Sequence, residues 1–310
     1  LNRILCVKSP HGVDQTRYLY VQPKNKIDVL FLGSSHVHCN VNTQLLWDEY
    51  GMAAYLMTGA EQPLWNSYYN LKEALKTQKP KLVVLDMFCP SRFYDDFQPG
   101  WADENLDGMR ISLNKLEAVY TSVQEEQSHF FLGFTEYHSR YDQLTTEDFQ
   151  NFVWNRKTQE RWKGYTPLNR HAELTEPDMS HVTTSQEMTE KSKEYFEKIV
   201  ELTKKEGITL ALISGPYLLE ERDQKVYNSI GQLAEKDGLL FWNTNTPAHY
   251  REMGLDFSTD YADHAHLNEA GGAKYTAYLG KWLSQNYSFP DRRGQKGYES
   301  WENQLMKSGE

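Results

Sequence analysis

The stretch "IDVLFLGSSHVHCN", Ile27–Asn40, decides the fold. Its first part, Ile27–Gly33, is an almost continuous apolar run. Such a run reads as a strand buried on both faces, and Gly33 ends it. Two serines and a histidine follow at once, and a second histidine, His38, comes two positions later. A strand that delivers Ser-Ser-His to its end admits four readings. It carries a nucleophile, a pair of metal ligands, a phosphate-binding turn, or an ordinary strand-to-loop junction.

Working outward, the same strand-then-helix rhythm recurs. Asn42–Gly51 predicts a helix with Asn42 as cap and Gly51 as stop. Met52–Gly59 is a second strand-like run. Pro63–Pro80 predicts a helix opened by one proline and closed before the next, and Lys81–Phe88 a third strand. The rhythm then lapses over residues 89–188, which are polar and aromatic-rich, with helices expected only at Ser112–Glu126 and Thr145–Gln159. It resumes with a long amphipathic helix at Ser185–Gly207. A strand at Ile208–Pro216, a helix at Glu220–Gly238, a strand at Leu239–Asn245 and a last helix from Asn268 complete it. Strands alternating with helices imply a parallel sheet covered on both faces. The expectation is one α/β domain over residues 1–290, built on a doubly wound five-stranded parallel sheet. The large insertion after strand three, 89–188, is expected to be mostly helix and loop and to face substrate. Residues 291–310 read as a polar, loosely held tail.

The bulk properties narrow the function. The chain has 310 residues, 39% of them hydrophobic, which suffices to bury a sizeable core. A net charge of −10 argues against a phosphate backbone as partner, so nucleic acid is excluded. The 20 Tyr and 8 Trp suit either packing or a sugar-like ligand, since each offers a flat apolar face and a polar tip. Cys6, Cys39 and Cys89 are too few and too scattered for a disulfide framework or a zinc ribbon. No apolar run approaches the roughly 20 residues that cross a bilayer. The chain begins at Leu1 rather than Met, from which a removed upstream segment is expected.

The chemistry turns on a second stretch, "DHAHLN", Asp263–Asn268. A serine hydroxyl is a weak nucleophile until a base takes its proton. An imidazole does this near neutral pH, and a carboxylate holds its tautomer. Asp263 and His266 are three residues apart, just before the last helix, and so fall at the same sheet edge as the strand ends. A lone serine after a strand is equally a cap or turn. Two His-x-His pairs, His36/His38 and His264/His266, with Asp263 nearby, keep a metal site open. A phosphate turn lacks the lysine and extra glycines of a P-loop. A non-catalytic sugar-binding module fits the aromatic-rich insertion and requires no convergence of Ser, His and Asp.

The blocks "FLGSSH" and "DHAHLN" resemble the first and last blocks of the SGNH hydrolases, and the resemblance spans about residues 27–88 and 185–285. It implies a flavodoxin-like three-layer sandwich and a catalytic triad of Ser35, His266 and Asp263, with Ser34 standing where the family carries Asp. It makes the backbone N–H groups of Ser35 and Gly59 oxyanion donors, with no metal and no cofactor. The Gly-x-Asn-Asp block is missing. Asp86 stands near that place, and a carboxylate there would repel an oxyanion. Losing a side-chain donor costs about 2.7–4 kcal/mol, so Gln62 and Asn66 are expected to substitute. More closely, "IDVLFLGSSHVH", "LWDEYG", "EQPLWNSYYNLKEALK", "PKLVVLD" and "YHSRYDQLTTEDF" are similar to the membrane-anchored branch of these proteins in Gram-positive bacteria. That branch includes the D-alanyl-transfer protein of the teichoic acid pathway and the partners of polysaccharide O-acetyltransferases. The resemblance implies an extracytoplasmic serine acyltransferase, held to the cell membrane by a removed N-terminal anchor. Its acyl donor would be relayed by a membrane-bound O-acyltransferase to a cell-wall or secreted polysaccharide. A carbohydrate esterase or deacetylase shares the first half-reaction and remains the alternative. Tyr137, His138 and Arg140, clustered in the insertion, are the expected substrate-binding residues, the guanidinium holding an anionic group through parallel bonds.

Overall fold

The computed structural model describes residues 11–92, 96–97, 100–131, 141–146, 149 and 162–302. Five strands form one sheet: β1 (Val29–Gly33), β2 (Ala54–Thr58), β3 (Leu82–Asp86), β4 (Thr209–Ser214) and β5 (Leu240–Asn243). All pairings are parallel and the order is β2-β1-β3-β4-β5, the flavodoxin-like doubly wound topology. The expected five-stranded sheet is thus present.

Alternation along each strand divides the core. Leu30 and Leu32, with Tyr55, Met57, Val83 and Leu85, face helices Leu64–Ala74, Glu190–Glu206 and Glu221–Asp237. Val29 and Phe31, with Ala54, Leu56, Val84, Ala211 and Ile213, face helices Thr43–Tyr50, Pro247–Met253 and Glu269–Asn286. Because residues i and i+2 share a face, an apolar run without alternation fills both layers. The capping residues also act as the sequence implied. Asn42 Oδ1 accepts the Leu45 N–H at 3.1 Å, and Gly51 closes that helix at φ +63°. Ser112 and Thr189 cap helices Leu113–Ser122 and Glu190–Glu206, both shorter than the sequence suggested.

Two features differ from expectation. A helix at His11–Leu19 precedes the sheet and buries Gly12, Val13, Thr16 and Leu19. The segment after Pro290 is docked as far as Glu302, not loosely held. Arg292 makes two bonds to Asp28, at 2.7 and 2.9 Å. Trp301 is fully buried, and its indole N–H donates to Ala54 O at 3.1 Å. Strand β2 lies at the sheet edge, and the Leu56 N–H donates to Lys163 O at 2.8 Å. Trp301 and Lys163 therefore occupy backbone groups that an open edge would offer to another chain. No helix among the described residues is long and apolar enough to cross a membrane. The helix expected at Thr145–Gln159 falls almost wholly outside the described residues.

Candidate active site

In this topology the connections from β1 and β3 run to opposite sides, which opens a crevice at the carboxyl ends of those two strands. Gly33 and Asp86 are those ends. Ser34 takes an extended backbone (φ −97°, ψ −162°) and caps the short helix Ser35–His38, its hydroxyl accepting the His36 N–H at 3.3 Å. Ser35 therefore stands at the tip of the turn, at the first position of that helix.

The loop before the last helix meets it there. Ser35 Oγ lies 2.8 Å from His266 Nε2, and His266 Nδ1 lies 2.9 Å from Asp263 Oδ1. The three side chains named from the sequence thus form one hydrogen-bonded chain, closed between residues 231 positions apart. Asp263 Oδ1 also accepts the N–H groups of Ala265 and His266, at 2.9 and 3.0 Å, which folds Asp-x-x-His into a turn around the carboxylate. The loop is pinned to the nucleophile side as well, since the Leu267 N–H donates to Asn40 Oδ1 at 3.1 Å.

Arg170 adds a contact that no motif in the sequence announces. Its Nη2 donates to Asp263 Oδ2 at 2.9 Å, so both carboxylate oxygens are engaged. It comes from the insertion, on a segment tied at Thr166 to His38 O and at Leu168 to the Glu269 N–H. Burial works to raise the Asp263 carboxyl. The His266 ring, the Ala265 N–H and Arg170 outweigh it and hold the group below the usual carboxylate range. With Asp263 ionised, the Nδ1–H tautomer of His266 is favoured. That leaves Nε2 to accept the Ser35 proton.

The neighbouring histidines point elsewhere. The His36 ring stacks on Phe88 at 3.4 Å and meets Tyr217 edge-on at 4.9 Å. Both its nitrogens are buried without a hydrogen-bond partner, and burial, then the His266 and Arg92 charges, push its pKa well down. His38 turns instead to Thr58 Oγ1, at 3.2 Å, and packs on the His11 ring at 3.8 Å. His264 is exposed and His266 faces Ser35. His36 and His38 therefore part at the helix start and do not form a chelate. Consecutive and alternate residues of a helix start diverge, whereas the metal reading needs an extended segment.

The remaining expected residues fare unevenly. Gly59 follows Thr58, the register partner of Gly33, so it shares the sheet edge with Ser35. It is crowded: a Cβ there would lie 2.5 Å from Asn105 Oδ1. Asn105 donates to Ala60 O at 2.9 Å and so supports the turn after β2, a role with no local signature in the sequence. Of the two amides expected as oxyanion donors, Gln62 has its donor nitrogen committed elsewhere and Asn66 does not. The Gln62 amide N donates to Ser67 Oγ at 3.0 Å and to Met57 O at 3.4 Å, while its oxygen accepts from Asn70 at 2.8 Å. Asn66 Oδ1 accepts from Ser122 at 2.5 Å, while its Nδ2, the group that would donate to an oxyanion, is buried with no hydrogen-bond partner. The Gln62 amide thus locks the turn before helix Leu64–Ala74, which corrects its assignment to the oxyanion. Tyr137, His138 and Arg140 lie outside the described residues.

Asp86 is neither a donor nor a free charge in the crevice. It is 3% exposed and accepts the Ser34 hydroxyl at 3.4 Å. Burial pushes its carboxyl up to about 7, against the pull of the Phe88 and Ser34 N–H groups and the Ser34 hydroxyl.

No family model and no curated protein matches the sequence. Among solved structures, a proposed acylhydrolase from Bacteroides fragilis NCTC 9343 is similar to this chain. The two are 13% identical, with 88% of this chain and 97% of that chain covered and a TM-score of 0.42.

Proposed function

We propose that the protein is a serine esterase-type enzyme that passes an acyl group through Ser35. The observation that carries this is the continuous chain Ser35 Oγ–His266 Nε2 and His266 Nδ1–Asp263 Oδ1, at 2.8 and 2.9 Å. In the first half-reaction Ser35 Oγ attacks an ester or thioester carbonyl carbon, and its proton moves to His266 Nε2. Asp263 steadies the imidazolium. The oxyanion is received by the backbone N–H groups of Ser35 and Gly59. Collapse expels the alcohol or thiol, which takes the proton from His266, and leaves Ser35 acylated. In the second half-reaction a hydroxyl gives its proton to His266 and attacks the acyl carbonyl, and His266 returns the proton to Ser35 Oγ as the Ser35–acyl bond breaks.

The acceptor hydroxyl is proposed to belong to a polysaccharide, with the acyl group supplied by a membrane-bound acyltransferase and catalysis outside the membrane. The sequence blocks quoted above support this branch. An open cleft next to Arg170, the partner of Asp263, offers room for an acceptor: it mixes polar Asn169, Arg170, His171, Asn268 and Glu269 with apolar Leu168, Ala270 and Ala273. Hydrolysis, with water as acceptor, is the competing outcome.

The first test is turnover of p-nitrophenyl acetate by the wild type, Ser35→Ala and His266→Ala. Both variants are expected to lose turnover to a similar degree, because the triad acts as a unit. Wild-type turnover in Ser35→Ala would sink the assignment. Adding soluble oligosaccharides and measuring acylated sugar against free acid then separates transfer from hydrolysis.

A further inference from the structure

We propose that Asp86 and Ser34 form a positioning pair, in which a carboxylate from β3 fixes the turn that presents Ser35. The proposal rests on the reading of Ser35 as nucleophile. Neither residue belongs to the triad, yet both are fully or almost fully buried directly beneath it. The link is physical at each step. Asp86 Oδ2 accepts the Ser34 O–H, and Ser34 Oγ accepts the His36 N–H, so the carboxylate, the cap hydroxyl and the first turn of the helix form one relay. Ser35 lies between the two bonded residues, and its hydroxyl and N–H both take their direction from that turn.

The backbone is built for this approach. Gly33 has φ +153°, and a Cβ there would lie 2.5 Å from Asp86 Cβ and 2.9 Å from Val37 Cγ2. A side chain at position 33 would push β3 and the short helix away from the turn. The neighbouring Cys89 thiol is buried against the same two groups, where burial and then the Asp86 charge raise its pKa. Burying an acid that touches no substrate is costly. An aliphatic residue would fill the space without that cost, and it could not accept the Ser34 hydroxyl.

The pair acts on Ser35 through Ser34, so its signature is a kcat effect without loss of the fold. The test compares wild type, Ser34→Ala, Asp86→Asn and the double variant on p-nitrophenyl acetate. Labelling of Ser35 by a fluorophosphonate probe is followed in parallel, and thermal unfolding confirms the folded state. Ser34→Ala and Asp86→Asn are each expected to lower kcat and the labelling rate about tenfold or more with KM nearly unchanged, as displaced reacting groups do. The double variant is expected to be little worse than the weaker single. A folded Ser34→Ala that labels and turns over as fast as wild type would overturn the pair while leaving the nucleophile intact. A wild type that neither labels at Ser35 nor turns over would overturn the nucleophile reading and the pair together. If Asp86→Asn does not fold, Ser34→Ala alone decides.

Discussion

Replacing Asp86 by Asn perturbs stability and activity in opposite senses, and the stability half can be worked from the structure. Burial raises the Asp86 carboxyl from an ordinary 3.8 to about 7. Between those values the folded chain holds a proton that the unfolded chain has released, so stability falls as pH rises. Integrating this difference, the carboxyl costs the fold about 4 kcal/mol at pH 8 and about 2 kcal/mol at pH 5. Asn carries no charge and escapes that cost. It also presents an amide NH2 toward backbone N–H donors, a mismatch of about 1–3 kcal/mol. The mismatch does not depend on pH, and it cancels when the gap between variant and wild type is compared at two pH values. The variant should therefore gain about 2–3 kcal/mol on wild type between pH 5 and pH 8. Urea unfolding followed by tryptophan fluorescence measures this, since Trp47, Trp65 and Trp301 are buried in the core. A gap that stays flat from pH 5 to pH 8 would refute the raised carboxyl, and a gap of opposite sign would mean that Asp86 is held as the anion. A variant more stable yet slower at pH 8 is what a positioning carboxylate predicts, and a purely structural residue would not give it.

Arg170→Ala removes one bond to Asp263 from a side chain that is 66% exposed. Exposed pairs contribute about 0–1 kcal/mol, so kcat should fall by about fivefold at most, and concentrated salt should slow the wild type to a similar degree. A thousandfold loss would assign Arg170 a larger role. Trp301→Ala empties a fully buried site against β2, and urea unfolding should register a loss of about 3–5 kcal/mol with little change in kcat of the folded fraction. A loss under about 1 kcal/mol would mean that the segment after Pro290 does not hold the sheet edge.

The sheet was legible because its strands are apolar runs closed by turn residues, a pattern set by local burial on two faces. Ser35, Asp263 and His266 were legible for a related reason: strand ends and the start of the last helix must share one edge in this topology. What escaped depends on pairing across the chain. Helix His11–Leu19 buries Gly12, Thr16 and Gln15 alongside Val13 and Leu19, so no apolar periodicity marks it. The docked tail hides Trp301 and Arg292 in a polar composition, and the partner of Arg292 is 264 positions away. The role of Gln62 escaped because an amide beside a glycine turn has the same appearance in sequence whether it faces an oxyanion or a helix.

Asp86 and His36 carry this contrast furthest. In sequence, Asp86 is only the wrong residue where an asparagine was wanted, because its partner Ser34 is 52 positions away. His36 is the obvious base because it adjoins Ser35. A helix start turns successive side chains about 100° apart, so adjacency in the chain is what prevents His36 from facing the Ser35 hydroxyl. Its ring lies on Phe88 instead. A neutral ring with no hydrogen-bond partner does nothing that a phenyl ring of similar shape could not do. His36→Phe should therefore keep kcat within about tenfold and unfold at the same or higher urea concentration, since an unpaired buried polar group costs about 1–3 kcal/mol. A loss of activity matching that of His266→Ala would mean that the nearer histidine, and not the distant one, takes the serine proton.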